Sequence, residues 1–428
     1  MLKRISLFSS FLVALLSSFP PDQPVAAQSR RPSQALRQVA EQQRKMLETY
    51  DRDAGDAKAQ PPGLADPDEL DEALKKIAAE SAAAFKLGDW KGEELYALAR
   101  LYEIAGQHAP AAEAYRAFLN RGARSKMASN ARIGLINALI ETEQLEEAEK
   151  QLASIELGFV IEEPVVMAAR AELYKDLALA LRDRSQYEKA AATANKGYTL
   201  ADSVSLSRWA PPQAQETTDR YRIILAAIAI GSYERLGQKK EADEMDGLVK
   251  KFDFNRQPEL RSVYESELAT ARLIGAPAPE LVVSRWIEGQ PKSLSELRGK
   301  VVLLDFWAMW CGPCVTAFPH LREFQSKYAG KGFEVIGVTR FYGRSDTEES
   351  LSRDQELKSL EGYKARHKLT YPFAIGKLDD VTNEERYGVI GLPAVILIDR
   401  RGNVRHVKRG VGEYRKLEKQ IEKLIGEK

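Results

Sequence analysis

Two cysteines stand three positions apart in Trp310-Cys-Gly-Pro-Cys314, and the chain of 428 residues contains no other cysteine. They follow the apolar run 301–307, which predicts a buried strand, and a helix is predicted to begin at Cys311. Unpaired amides and the positive end of the helix dipole favour the thiolate of Cys311. The pattern therefore indicates a thiol that attacks disulfides, with Cys314 placed to resolve the mixed disulfide.

Two other interpretations of the cysteine pair are weaker. A structural disulfide between positions i and i+3 closes too small a loop to stabilise a fold by much. A zinc site needs two further ligands, and the four histidines, His108, His320, His367 and His406, show no spacing typical of ligands. We therefore expect no metal site and no organic cofactor.

Two neighbours of the cysteines are further candidates. Asp305 lies in an otherwise apolar strand, so we expect its carboxylate to be buried and its pKa to be raised. The alternative is a carboxylate at the solvent edge of the strand. Trp310 directly precedes the first cysteine, and because tryptophans more often pack than react, we assign it a shielding role.

The first 27 residues have the features of a secretory signal peptide. Lys3 and Arg4 precede an apolar run, and small residues at 25–27 suit a cleavage site. An uncleaved anchor is the alternative. Without this segment the chain has 63 − 2 = 61 basic and 62 − 1 = 61 acidic residues, which argues against a nucleic-acid partner. We expect export to the bacterial periplasm or another extracytoplasmic space.

The middle of the chain is predicted to be helical. Residues 28–65 are polar and predict mainly a flexible tether, with a short helix from Pro32 to Tyr50 as the alternative, whereas residues 66–274 have helical periodicity. A polar turn carrying glutamine, with alanine four residues later, recurs at Gln107/Ala111, Gln144/Ala148, Gln186/Ala190 and Gln238/Ala242. This pattern resembles a degenerate tetratricopeptide-like array of helical hairpins, which implies a protein partner. The alternative is an irregular helical domain without a binding role.

Beyond residue 275 strands and helices alternate, which predicts an α/β domain over residues 275–428. This part resembles the thioredoxin superfamily, and most closely its exported TlpA/ResA-like branch. The resemblance rests on Leu304-Asp-Phe-Trp-Ala-Met-Trp-Cys-Gly-Pro-Cys314, on Pro319, which matches the proline that bends the active-site helix, and on Gly391-Leu-Pro393. The expected fold class is multidomain: an all-α helical-hairpin domain followed by an α/β thioredoxin-like domain.

The resemblance also implies roles for residues. Asp305 would take and return the proton of Cys314. Pro393 stands where the family has its cis-proline loop, so that Leu392, Pro393 and the shielding Trp310 would contact the substrate. A trans proline is the alternative. An insertion at 341–371 is charged, with a helix near 354–367 that reads as a charged surface helix.

Together these features predict an exported thiol–disulfide oxidoreductase that exchanges its dithiol or disulfide with protein substrates. Gly312-Pro313 resembles the dipeptide of reducing thioredoxins and favours the reducing direction. Electrons would come from another dithiol protein, such as a membrane-bound one. One alternative is a helical-repeat scaffold with a secondary redox domain. Another is a thiol peroxidase, although in the typical Thr/Ser-x-x-Cys setting Cys311 takes the Thr/Ser position.

Overall fold

The computed structural model describes residues 31–55, 67–120, 127–156, 164–205, 210–289, 293–377 and 382–427. The predicted signal peptide, residues 1–27, lies outside these ranges, as do residues 56–65 of the predicted tether. The chain divides into two compact units, Met1–Leu177 and Ala178–Lys428. Within the described ranges, no helix has the length and apolar character needed to cross a membrane.

The described part of the first unit is helical. Its helices are α1 (Pro32–Gly55), α2 (Pro67–Ala82), α3 (Glu93–Ile104), α4 (His108–Asn120), α5 (Met127–Glu141), α6 (Leu145–Glu156) and α7 (Pro164–Asp183). The last residues of α7 already belong to the second unit. The second unit then continues with α8 (Tyr187–Ser205), α9 (Pro212–Arg235), α10 (Lys239–Lys250) and α11 (Glu259–Leu273).

Helix α1 corrects the prediction of a flexible tether for residues 32–55. Its Ala35, Leu36 and Val39 are buried in one apolar cluster with residues of α2 and α3. Ser33 adds a polar anchor, because its hydroxyl donates to Glu94 Oε1 at 2.8 Å. The apolar residues fall on one face at helical spacing. The surrounding Gln and Arg residues concealed that face in the composition of the segment.

The four turns picked out by the glutamine–alanine pattern are present. Each contains a residue of positive φ, namely Gly106, Glu143, Ser185 and Gly237. The glutamine that follows donates its N–H to the carbonyl five residues earlier, at 2.8 to 3.0 Å, which ends the preceding helix. The alanine four residues later is at most 4% exposed, so the helices approach closely. These observations confirm the helical turns, and the tetratricopeptide-like repeat stays a prediction.

A six-stranded mixed sheet follows the helices, in the order β1-β4-β3-β2-β5-β6. The strands are β1 (Val283–Ile287), β2 (Val301–Phe306), β3 (Phe333–Thr339), β4 (Phe373–Gly376), β5 (Ala394–Ile398) and β6 (Val404–Arg409). Strands β2, β3 and β4 run parallel, and the other pairings are antiparallel. The helices among them are α12 (Gly312–Val315), α13 (Phe318–Tyr328), α14 (Arg353–Arg366), α15 (Asn383–Arg386) and α16 (Tyr414–Gly426). The all-α region followed by an α/β domain is therefore confirmed.

The central strands are buried on both faces, as expected of a sheet covered on two sides. One face packs against α13, α14 and α16, and the other against the end of α11 and the connecting segments. The start of β6, at the outer edge of the sheet, pairs with the segment 275–278. Gly275 N–H donates to Val404 O at 2.7 Å, and Val404 N–H donates to Ala276 O at 2.9 Å.

Candidate active site

The two cysteines lie just after the end of β2 and are joined by a disulfide. Their sulfur atoms are 2.03 Å apart and their Cα atoms 5.3 Å apart. Cys311 is the N-cap residue of α12, and Cys314 lies inside that helix. Cys314 is fully buried, whereas Cys311 keeps 4% of its surface exposed. The structure thus brings the two predicted redox residues together, with Cys311 as the more accessible sulfur.

The helix that carries the cysteines is interrupted early. Helix α12 has four residues, and α13 begins at Phe318 with Pro319 in its first turn. Because proline has no N–H to donate, the regular pattern of helical hydrogen bonds cannot run through this position. The sequence predicted a bend there, and the structure has two successive helices. The positive potential at Cys311 therefore comes from the few amides of the first turn rather than from a long helix.

Two aromatic rings, Trp310 and Tyr342, and the guanidinium of Arg344 form a rim beside the disulfide, called here the aromatic rim. Trp310 is 37% exposed, and its ring packs edge to face against the ring of Tyr342, with the two ring centroids 5.3 Å apart. The guanidinium carbon of Arg344 lies 4.4 Å from the centroid of the Trp310 ring, within reach of a cation–π interaction. The rim combines a large apolar surface with a cationic side chain, which suits contact with an incoming polypeptide.

Helix α14 supports this rim. It has the exposed charged residues predicted for a surface helix, but two of its charged side chains are buried. Its Glu356 is buried, and its two carboxylate oxygens accept the N–H groups of Tyr342 at 2.8 Å and Gly343 at 2.9 Å. Its Lys364 is also buried and donates to the carbonyls of Leu369 at 2.7 Å and Tyr371 at 2.6 Å. Lys364 also pairs with the Glu288 carboxylate at 3.1 Å. Backbone N–H groups thus satisfy Glu356, and two carbonyls with one carboxylate satisfy Lys364, which explains how both charges can be buried.

The peptide bond between Leu392 and Pro393 is cis, as the sequence analysis expects. Pro393 directly precedes β5, whose Ala394 pairs with Phe306 at the end of β2. Leu392 packs against the apolar cluster that contains both cysteines. The cis-proline and the disulfide therefore lie at the same end of the sheet.

Asp305 is fully buried in β2, as predicted. Val301, Leu303 and Trp307 belong to the cluster that contains the cysteines, so the alternation of the strand directs Asp305 to that same face. Neither carboxylate oxygen has a hydrogen-bond partner among the described residues. Burial raises the pKa of Asp305 to about 7, against an opposing effect of the Lys408 charge. A carboxyl with this pKa can accept and release a proton near neutral pH.

Comparison with known proteins places these features in a family. The Redoxin family model matches residues 274–425. A protein named thiol–disulfide oxidoreductase ResA, from Geobacillus thermodenitrificans, is 31% identical over 155 residues, which cover 36% of this chain and 80% of that relative. This chain belongs to the ResA-like thiol–disulfide oxidoreductase family. The thioredoxin-like character of the α/β domain and the oxidoreductase class are thereby confirmed.

Two further similarities concern the same part of this oxidoreductase. Protein DipZ of Mycobacterium bovis is 32% identical over 155 residues, covering 35% of this chain and 21% of DipZ. A thiol–disulfide isomerase structure from Corynebacterium glutamicum is 25% identical and covers 36% of this chain and 98% of that one, with a TM-score of 0.32.

Sequence reasoning missed two buried groups near Asp305 of this oxidoreductase. In the sheet register Asp305 pairs with Val395, which pairs with Lys408, so the three share a row on one face. Lys408 is 6% exposed and donates to Gly410 O at 2.6 Å. Tyr371 is also buried, and its pKa is raised by burial and by the Asp305 charge. No sequence signal marked Tyr371. Lys408 was missed because a lysine in an edge strand usually points to solvent.

Across the described part of the chain, no group of three or more His, Cys, Asp or Glu residues is arranged to hold a metal ion.

Asp305 should make the stability of the oxidised oxidoreductase depend on pH. The folded protein keeps the Asp305 proton up to a pKa of about 7, whereas the unfolded chain loses it near the ordinary value of 3.8. The free energy of unfolding should therefore fall as pH rises between these values and level off above pH 7, by ~4 kcal/mol at most. Asp305→Asn should remove this fall and be more stable than wild type at pH 8.

Urea unfolding of both proteins at pH 5, 7 and 8 measures the effect. Equal slopes of stability against pH for wild type and Asp305→Asn would show that Asp305 does not hold its proton in the folded state.

Proposed function

We propose that this protein reduces disulfide bonds in other proteins outside the cytoplasm, with Cys311 as the attacking nucleophile and Cys314 as the resolving thiol. One observation carries the proposal: the two cysteines form a disulfide at the end of β2, on the face of the sheet where Asp305 is buried. The family supplies the reaction class, and the geometry supports the roles of the individual residues.

The reaction begins from the dithiol form. The Cys311 thiolate attacks one sulfur of a substrate disulfide, which forms a mixed disulfide and releases the other substrate sulfur as a thiolate. The Cys314 sulfur then attacks Cys311 Sγ and displaces the second substrate thiolate. Two electrons have passed to the substrate, and the enzyme is left with the Cys311–Cys314 disulfide, the state of the structure.

Asp305 serves the second of these steps. Cys314 must lose its proton before it can attack. The Cys314 side chain is fully buried, away from bulk water. Burial of a thiol raises its pKa, so a nearby proton acceptor is needed. The Asp305 carboxylate takes that proton and returns it when the dithiol form is regenerated. Its pKa of about 7 lies near the working pH, which suits both transfers.

Substrate contact is assigned to three residues around the disulfide. Trp310 presents the exposed part of the aromatic rim and shields the sulfurs. Leu392 precedes the cis-proline, and its backbone would form hydrogen bonds with an extended substrate segment. Pro393 fixes the path of the chain at this point. Together they would hold a polypeptide across Cys311.

The direction and the compartment rest on sequence features. The Gly312-Pro313 dipeptide favours reduction, and the N-terminal 27 residues favour export. Steady reduction then requires a second dithiol protein that returns two electrons to the Cys311–Cys314 disulfide. A membrane-bound donor suits an extracytoplasmic enzyme, because reducing equivalents originate in the cytoplasm.

A second candidate function is suggested by the helical region. The four turns with positive φ and a buried alanine repeat one local geometry, which is typical of hairpin arrays that bind proteins. In that case the protein is a partner-binding scaffold with a secondary redox domain. Cys311→Ser would then leave partner binding and the cellular phenotype unchanged, whereas the oxidoreductase proposal expects loss of function.

Trapping tests the proposal directly. Reduced Cys314→Ser protein, which keeps the Cys311 thiol, should attack insulin disulfides and stop at the mixed disulfide, because the resolving sulfur is missing. A nonreducing gel should show a covalent adduct that disappears with dithiothreitol. The control is the double variant Cys311→Ser/Cys314→Ser, which should give no adduct. Absence of adduct from Cys314→Ser, or equal adduct from the control, would contradict the assignment of Cys311.

A further inference from the structure

The last helix of the all-α region, α11, contacts the loop that carries the cis-proline, defined here as residues 387–393. Gly388 of this loop has a φ of +60°, and a Cβ atom built there would lie 2.3 Å from Ala269 Cβ of α11. Only glycine allows this conformation and this approach without a shift of the backbone. The loop is therefore seated directly on the helix. Both belong to the second compact unit.

Polar contacts reinforce the seat. Ser266 of α11 is buried, and its hydroxyl donates to Gly388 O at 3.1 Å. The backbone carbonyl of Ser266 accepts a hydrogen bond from Arg409 Nη2 at 2.8 Å. Arg409 also pairs with Glu267 at 3.1 Å and donates to Thr270 Oγ1. The helix thus contacts the loop through Ser266 and the end of β6 through Arg409.

Arg409 is connected to the cis-proline through the sheet. It pairs in the sheet with Ala394, the residue after Pro393. The next residue, Gly410, donates its N–H to Pro393 O at 2.8 Å. The end of β6 is thus hydrogen-bonded to the cis-proline, and α11 contacts both Gly388 of the loop and Arg409 at the end of β6.

We propose that Ser266 and Arg409 are positioning residues, through which the helical region fixes the cis-proline loop and so sets the affinity for protein disulfides. The inference rests on the proposed function, because it assumes that substrate segments bind along this loop. It adds that the helical region contributes to the redox reaction even when it binds no partner of its own. Neither residue contacts the sulfurs, so the intrinsic reactivity of Cys311 should not depend on them.

The test compares two disulfide probes on full-length protein. Insulin requires the loop for binding, whereas cystamine is small enough to react with Cys311 without it. For Ser266→Ala and Arg409→Gln we expect KM for insulin to rise ~5-fold each, with kcat and the rate with cystamine within about twofold of wild type. Arg272→Gln is the matched control: it lies on the same helix but pairs with Glu234 of α9, at 2.7 Å. It should leave both probes unchanged.

Each outcome is decisive. An unchanged KM for insulin in Ser266→Ala, or an equal loss with insulin and cystamine, would overturn the positioning role. Should Arg409→Gln fail to fold, Ser266→Ala alone decides, since it removes one hydroxyl from a helix. Failure of wild-type protein to react with either probe would instead contradict the proposed function, so the two failures are distinguishable.

Discussion

Cys311→Ser should lower the rate of insulin reduction by at least ~10³-fold, the largest effect expected of any single substitution in this protein. A serine hydroxyl is not ionised at neutral pH and cannot form the mixed disulfide, so the first step is lost. Cys314 cannot substitute for it, because it is fully buried whereas Cys311 retains some exposure. The measurement is insulin turbidity with dithiothreitol as electron donor.

Cys314→Ser provides the comparison. It should also lose turnover, but it should keep the first attack, which a single-turnover measurement would detect as one equivalent of released insulin thiol. If Cys311→Ser kept a tenth or more of the wild-type rate, the attacking sulfur would have to be Cys314, and the assigned order of the two cysteines would be wrong.

Asp305→Asn should slow the resolution of the mixed disulfide ~100-fold at pH 7.5 and change its pH dependence. In wild type the rate should rise as Asp305 loses its proton and flatten above its pKa of about 7. An asparagine cannot accept the proton of Cys314. The rate of the variant should therefore keep rising above pH 7, as the thiol itself ionises. Stopped-flow decay of the mixed disulfide between pH 5 and 9 measures both curves.

Asp399→Asn is the matched control for this prediction. Asp399 is also buried, but its carboxylate accepts the N–H groups of Arg401 at 3.0 Å and Asn403 at 2.8 Å in the turn before β6. Its replacement should cost stability and leave the pH dependence of resolution intact. Alkylation of Cys311 by iodoacetamide should be similar in all three proteins. A rate in Asp305→Asn that still flattens near pH 7 would assign that proton to another group.

The features that the sequence could predict are local ones. The dithiol and the burial of Asp305 follow from short segments whose residue types indicate their chemistry, and the cis-proline is implied by the resemblance of Gly391-Leu-Pro393 to a loop of the family. The helical turns were predicted for a similar reason, since a residue of positive φ, a glutamine and a small alanine act within one turn of helix. Such features need no knowledge of what lies elsewhere in the chain.

The features that the sequence could not predict depend on distant partners. The sequence indicates surface charges at Glu356 and Lys364, because the groups that pair with them lie in other segments of the chain. The contact of Ser266 with Gly388 joins residues 122 positions apart. The polar composition of residues 32–55 favours a tether over a helix, because the apolar face of α1 is stabilised only when α2 and α3 pack against it. In each case tertiary contacts decide the environment, and composition alone does not reveal it.

The segment 275–278 protects an edge of the sheet from pairing with other molecules. By pairing with Val404 it occupies hydrogen-bonding groups that the start of an edge strand otherwise presents to solvent, and it also pairs with Gly402 in the preceding turn. Proteolysis within this segment would free them, and an unpaired strand edge is a surface through which β-sheet proteins aggregate. We therefore expect the segment 275–278, which connects the helices to the sheet, also to hinder self-association through this strand edge.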